Sequence, residues 1–220
     1  MDKKKILEAL KQLREKSSKK NFTQKVDLIL NLKGVNLKNP EENIDLFVNL
    51  HYPPGKKIKI CALVGKELED QAKVFDRVIK REDFSKYQDN KKELKKLIQE
   101  FDYFVAQANL MTEVAKVFGK TFGPRSKMPN PKSGAIVTPT SNLNEIKLRL
   151  EKTVRVKTKN EPILKTYVGN ESMKDEELYE NIISIYDSIV KALSQGEGNI
   201  KNVILKLTMS PPIKVEKWIT

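Results

Sequence analysis

The chain has a single cysteine, Cys61, and a single histidine, His51, in 220 residues. A lone cysteine excludes an internal disulfide and fits a reducing compartment. One thiol and one imidazole fall short of an ordinary zinc site, so no metal is expected. Cys61 sits in an apolar run and reads as a small core residue; His51 sits at a strand end beside Tyr52 and reads as a surface or hydrogen-bonded structural residue. Glycine is scarce too, at nine residues, and none of the phosphate-cradling patterns is complete. Where a dinucleotide fold carries Gly-x-Gly-x-x-Gly after its first strand, this chain has Leu63-Val64-Gly65-Lys66-Glu67. Gly119-Lys120-Thr121 resembles the end of a P-loop, but Val114 occupies the place of the required first glycine. With neither a catalytic set nor a cofactor motif, the chain is not expected to be an enzyme and no cofactor is expected. Long apolar runs are missing: none approaches the roughly 20 residues of a membrane span. Met1-Asp2-Lys3-Lys4-Lys5 opens an amphipathic helix, not a signal-peptide core. These absences point to a cytoplasmic protein with no membrane partner.

Acid is short relative to base. Lys plus Arg number 42 against 29 Asp plus Glu, for a net charge of +13 and a pI near 9.6. Such a balance favours a polyanionic partner. Residues 58–154 hold 19 basic and 13 acidic side chains and the rest holds 23 and 16, so no basic tail hangs on a neutral body. A membrane surface is the weaker polyanion here, because no helix sets a concentrated basic face against large aromatics. A small-ligand or enzyme module for an anionic substrate lacks its phosphate loop.

Apolar residues recur in two styles. Ile6, Leu7, Leu10 and Leu13 have helical spacing, and then Val26, Leu28, Leu30 and Leu32 alternate with polar residues as a strand. Ile44, Leu46, Val48 and Leu50 repeat the strand pattern before Tyr52-Pro53-Pro54-Gly55 stops it. From Ile58 short apolar runs, Ile58–Val64 and Phe101–Ala106, alternate with helical segments: one through Leu68, Ala72 and Phe75, then Lys91–Glu100, Thr112–Phe118 and Leu143–Leu150. That order implies βαβ units and a mainly parallel sheet. The alternating style returns at Val154-Arg155-Val156, runs through a strand at Ile163–Gly169 and a helix from Asp175 to near Gly196, and ends in a strand over Val203–Thr208. The expected architecture is α+β and α/β in two domains. Domain I, α+β, is split between residues 1–57 and 155–220; domain II, residues 58–154, is an inserted Rossmann-like α/β domain. Two short crossings would make a hinge.

The stretch Gly123–Gly134 holds Pro124, Pro129 and Pro131 with Arg125, Lys127 and Lys132 and no acid. Proline excludes helix interior and central strand, so this is a stiff basic loop suited to phosphate, or else a solvated loop that happens to be basic.

Three motifs in register carry a family resemblance: Asn21-Phe22-Thr23-Gln24 before the first strand, Gly123-Pro124-Arg125-Ser126-Lys127-Met128-Pro129 in the loop, and Leu207-Thr208-Met209-Ser210-Pro211 after the last strand. Together they resemble the large-subunit ribosomal protein L-one family, the proteins of the mobile stalk, in its archaeal form, over essentially the whole chain. The resemblance implies the split two-domain fold and a domain I that is the main rRNA-binding domain, at the base of the stalk. It further implies contact with exit-site tRNA during its release, repression of translation through the chain's own mRNA, and a monomer when free. The implied RNA-binding positions are Lys20, Phe22, Thr23, Gln24, Lys25, Gly169, Lys206, Thr208, Met209, Ser210 and Lys214. The domain II basic loop adds Gly123, Pro124, Arg125, Ser126, Lys127 and Lys132. Ser210 and Ser126 stand where the family usually has glycine, which puts the closeness of backbone approach at Ser210 in question.

These residue types suit folded RNA, which is read by shape, 2′-hydroxyls and unstacked bases. Thr208, Ser210, Thr23 and Gln24 can hydrogen-bond; Met209 and Phe22 can pack on sugars or bases; Lys20, Lys25, Lys206 and Lys214 can meet phosphates. By residue type alone, Phe22 also reads as a core or staple residue, Thr208 as a turn residue, Met209 as core filler and the lysines as solvated surface.

Overall fold

In the computed structural model residues 2–39 and 42–215 are described. The elements run α1 (Lys3–Glu15), β1 (Lys25–Leu32), β2 (Asp45–Asn49), β3 (Ile60–Val64), α2 (Glu69–Ala72), β4 (Arg77–Lys80), α3 (Phe84–Asp89), α4 (Lys91–Glu100) and β5 (Tyr103–Gln107). They continue α5 (Met111–Phe122), β6 (Ile136–Val137), α6 (Leu143–Glu151), β7 (Thr153–Lys157), β8 (Ile163–Asn170), α7 (Asp175–Ala192), β9 (Ile200–Leu207) and β10 (Ile213–Val215). The chain divides into two compact units, residues 1–56 with 152–220, and residues 57–151.

Unit one is α+β. Its sheet has the order β10-β9-β1-β8 with every pairing antiparallel. Alternate residues of β1, from Val26 to Leu32, are buried, and so are Val203, Leu205 and Leu207 of β9. They pack against the apolar stripes of α1 (Ile6, Leu10, Leu13) and α7 (Leu178, Ile182, Ile185, Ile189). Asp2 caps α1 by accepting from the Lys4 N–H at 3.0 Å. Asp175, Glu176 and Glu177 crowd the first turn of α7, where the helix dipole favours negative charge. β2 and β7 form a separate antiparallel ribbon. β7 begins at Thr153, which pairs with Asn49, so the second crossing falls before the Val154–Val156 stretch read from the sequence.

Unit two is α/β, with a fully parallel sheet in the order β4-β3-β5-β6. β3 is buried along its whole length because both faces are covered. Cys61 and Leu63 point into one core with Phe104, Phe118 and Phe122; Ile60, Ala62 and Val64 point into another with Val105, Leu143 and Leu150. Burial pushes the Cys61 thiol up to about 12, so it stays protonated and inert.

The helix expected through Leu68, Ala72 and Phe75 is broken. A 3-10 turn at Lys66–Leu68 leads into the single turn of α2, and the chain leaves it at Lys73. It must return to the sheet there: the Asp76 carboxylate accepts from the Ile60 N–H at 2.8 Å, just before β4.

Candidate nucleic-acid interface

Antiparallel pairing places three distant segments at one end of the sheet in unit one. Val26 pairs with Leu207 on one side and with Gly169 on the other, and Lys25 pairs with Asn170. The residues before β1, those after β8 and the turn after β9 therefore meet. The Lys25 N–H donates to the Thr208 hydroxyl at 3.1 Å, and the Met209 N–H donates to the Gln24 side-chain carbonyl at 3.0 Å. The Gln24 carboxamide then donates to Ser17 Oγ at 3.0 Å and to the Glu171 carboxylate at 3.2 Å. Glu171 also accepts from the Gln24 backbone N–H at 2.9 Å, and the Glu171 N–H donates to the Gln24 carbonyl at 2.9 Å. The Arg14 guanidinium braces the same corner by donating to the carbonyls of Glu171 and Met173 and to Asp175.

The outcome is an exposed apolar tip on a polar, internally bonded base. Phe22 is 50% exposed and Met209 63% exposed, with Leu148 of unit two the other large apolar side chain left outside among the described residues. Lys20, Thr23, Lys25 and Thr208 are exposed around them. Because the Thr208 oxygen accepts from Lys25, its O–H remains able to donate outward. Lys206 and Lys214 lie farther along the open side of the sheet, Lys206 beside Asp27 and Lys214 beside Ile204. Burial raises the Asp27 carboxyl above its ordinary range, against the opposing pull of Lys25 and Lys206.

Three expected contact residues are turned inward instead. Gln24 is 1% exposed and every polar atom of its carboxamide is engaged within the protein. Ser210 is 6% exposed; its hydroxyl accepts from the Leu207 N–H at 2.9 Å and donates to the Pro211 carbonyl at 3.1 Å, closing the turn. Gly169 is buried, and a Cβ there would sit 2.5 Å from Leu178 Cδ2 and 2.6 Å from Met173 Sδ. Its missing side chain answers to α7 and not to a ligand. These three shape the tip from behind it. Ser17, Arg14 and Glu171 belong to the same base and carried no sequence signal, since scattered polar residues show no period.

The proline loop lies in unit two. Arg125 and Lys132 are exposed with Gly123 and Pro124, but Lys127 is not a surface cation. Its ammonium donates to the carbonyls of Ile98 and Phe101, both at 2.6 Å, where α4 leaves backbone acceptors open. Ser126 adopts φ 55°, a left-handed conformation. A cavity of about 520 Å³ opens at the carboxyl ends of β3, β4 and β5. Its charged walls close on each other, Lys66 with Glu82 at 2.8 Å and Arg81 with Glu113 through two bonds. Among the described residues no group of His, Cys, Asp and Glu could hold a metal, and no helix is long and apolar enough to cross a membrane.

The chain matches the model of the Ribosomal protein L1p/L10e family over residues 13–211. It is 39% identical over 218 residues to the large ribosomal subunit protein uL1 of Methanothermococcus thermolithotrophicus, covering 99% of this chain and all of that one. Over 217 residues it is 38% identical to the uL1 protein of Pyrococcus abyssi, covering 98% of this chain and 97% of the other. With the matched region running from α1 to the turn after β9, the chain belongs to the Ribosomal protein L1p/L10e family, in its archaeal form.

Proposed function

We propose that the chain binds large-subunit rRNA at the base of the mobile stalk through the Phe22–Met209 tip, takes part in release of exit-site tRNA, and represses translation by binding its own mRNA. Family membership makes it a structural, non-enzymatic constituent of the large ribosomal subunit, associated with rRNA in the cytoplasm. The observation that carries the finer reading is the tip. Two large apolar side chains from opposite ends of the sequence stand exposed where the segments before β1 and after β9 are hydrogen-bonded together, in a strongly basic protein. A lone exposed apolar residue needs no explanation, but a pair held out by a buried network fits packing on sugars and bases. Lys20 and Lys25 supply phosphate contacts, each steepening the log–log salt dependence by roughly 0.7–0.9. The exposed Arg125 and Lys132 of the proline loop offer unit two a phosphate-facing edge suited to tRNA.

The test is a filter-binding titration with a stalk-base rRNA fragment. Thr208→Ala with Met209→Ala is expected to weaken binding by about a hundredfold, the loss of a few kcal/mol at a packed contact, while circular dichroism stays unchanged. Gln24→Ala should weaken it by about tenfold through the misplaced turn. Unchanged affinity in the double variant would rule out the tip.

A further inference from the structure

Sulfur is sparse in this chain and unevenly placed. It resides in Cys61 and five methionines. Cys61 is 0% exposed and burial keeps it a protonated thiol, so it offers no thiolate to an oxidant. Met111 and Met128 are half-buried against the core of unit two that holds Phe118 and Phe122, and Met173 is half-buried against the core of unit one. Among the described residues only Met209 carries an exposed sulfur-bearing side chain, at 63% exposure.

The backbone of Met209 is fixed while its side chain projects. Its N–H is held by the Gln24 side chain at 3.0 Å, and the Ser210 N–H and hydroxyl close the turn around it, onto the Leu207 carbonyl and N–H. A chemical change at this thioether therefore alters the surface of the tip and leaves the hydrogen bonds of the turn and both units' cores untouched. The same change at Met111, Met128 or Met173 would act on packing instead.

We infer that Met209 is a modification site, at which hydrogen peroxide oxidises the thioether of the free chain to the sulfoxide, and that the oxidised tip packs poorly on RNA. The inference rests on the tip reading. In the step a sulfur lone pair attacks one peroxide oxygen, and an S–O bond forms as the O–O bond breaks. The second oxygen leaves as hydroxide and takes the proton of the bound oxygen to become water. Sulfur gives up an electron pair and the peroxide accepts it. A dithiol reductant reverses the step: the sulfoxide oxygen leaves as water and the dithiol becomes a disulfide. The sulfoxide oxygen is a polar acceptor that holds water, and burying it against a sugar or base without a donor opposes binding. RNA seated on the tip covers the same sulfur. Oxidation therefore acts on chains not yet on RNA, and bound chains are shielded.

The experiment treats the full chain with graded hydrogen peroxide, both free and saturated with the stalk-base rRNA fragment, and maps sulfoxide by peptide mass spectrometry. In the free chain Met209 is expected to be oxidised ahead of Met111, Met128 and Met173, and in the complex to be spared. Filter binding of chain oxidised at Met209 should be weaker by about tenfold, the worth of one packed anchor. Its urea unfolding should match that of untreated chain, and methionine sulfoxide reductases with dithiothreitol should restore binding. Met209→Leu, compared with itself before and after peroxide, should show no loss, whereas Met128→Leu should lose affinity as the parent does. Earlier oxidation of Met111, Met128 or Met173 overturns the inference, as does equal oxidation of Met209 in the complex or a Met209 sulfoxide that binds as untreated chain does. If Thr208→Ala with Met209→Ala spares affinity, the tip reading fails and the switch fails with it. If that variant loses affinity and the sulfoxide does not, the switch alone fails.

Discussion

Ser126 and Ser210 stand at the two positions where the family resemblance implies glycine, and their surroundings separate them. Ser210 keeps an ordinary backbone conformation, and its hydroxyl satisfies a buried N–H and a carbonyl across the turn. The side chain faces inward, so it adds no bulk to the outer surface of the tip. Ser126 is the only described residue other than glycine with positive φ. A Cβ in that region costs roughly 1–2 kcal/mol, and glycine removes the cost. The same replacement should therefore act in opposite directions. Ser126→Gly is expected to stabilise by about 0.5–1 kcal/mol, after its gain in unfolded-chain entropy is deducted. Ser210→Gly is expected to destabilise by about 1–2 kcal/mol, because the Leu207 N–H loses its buried acceptor. Urea unfolding of the two variants checks both signs; a shared sign would mean that the left-handed backbone at Ser126 stores no strain.

Among the elements, the β2–β7 ribbon shows how charge supports a pair of strands too few to stand alone. The Arg155 guanidinium makes two bonds to Asp45, at 2.7 and 2.6 Å, and lies 5.1 Å over the Phe47 ring. Arg155 holds the Asp45 carboxyl below its ordinary range, with Lys157 assisting. A lowered folded pKa stabilises above the ordinary carboxylate value near 4, and that contribution is lost as pH falls through the lowered value. Solvent screens the pair, since Asp45 is 35% exposed, so Asp45→Asn should cost only about 1 kcal/mol near neutrality. The difference from the parent should shrink progressively in urea titrations as the pH is lowered through and below the ordinary carboxylate range. A cost that persists in acid would assign the effect to packing. The strands of this ribbon were legible because Val48 and Val154 sit in clean alternation, and the long helices α1 and α7 were legible by the same kind of period. β4, β6 and β10 were not, since runs of four, two and three residues are too short to show one. Nor could the inward turn of Gln24, Ser210, Gly169 and Lys127 be read. Each depends on partners far along the chain, and residue type alone gives the same polar or small side chain whichever way it points.

At the scale of the molecule, each unit has its own core: one cluster in unit one, and two in unit two on either side of the parallel sheet. The end of β2, a few residues before the first crossing, lies beside the second crossing, because the Leu50 N–H donates to the Lys152 carbonyl at 2.9 Å and Lys152 donates to the His51 carbonyl at 3.3 Å. Excising residues 57–151 and rejoining the ends with a short glycine-rich link thus leaves β2 and β7 paired and removes no residue of the first core. Such a chain is expected to fold and to bind the stalk-base rRNA fragment within a fewfold of the full protein. The salt dependence makes the test sharper than affinity alone. Unit two carries much of the net positive charge, and if it touched this RNA its loss would flatten the log–log slope by roughly 0.7–0.9 for each phosphate released. An unchanged slope with near-parent affinity places the whole footprint on unit one. A folded excised chain that fails to bind, or binds with a markedly shallower slope, moves part of that footprint to the inserted unit and leaves the Phe22–Met209 tip as only one of its ends.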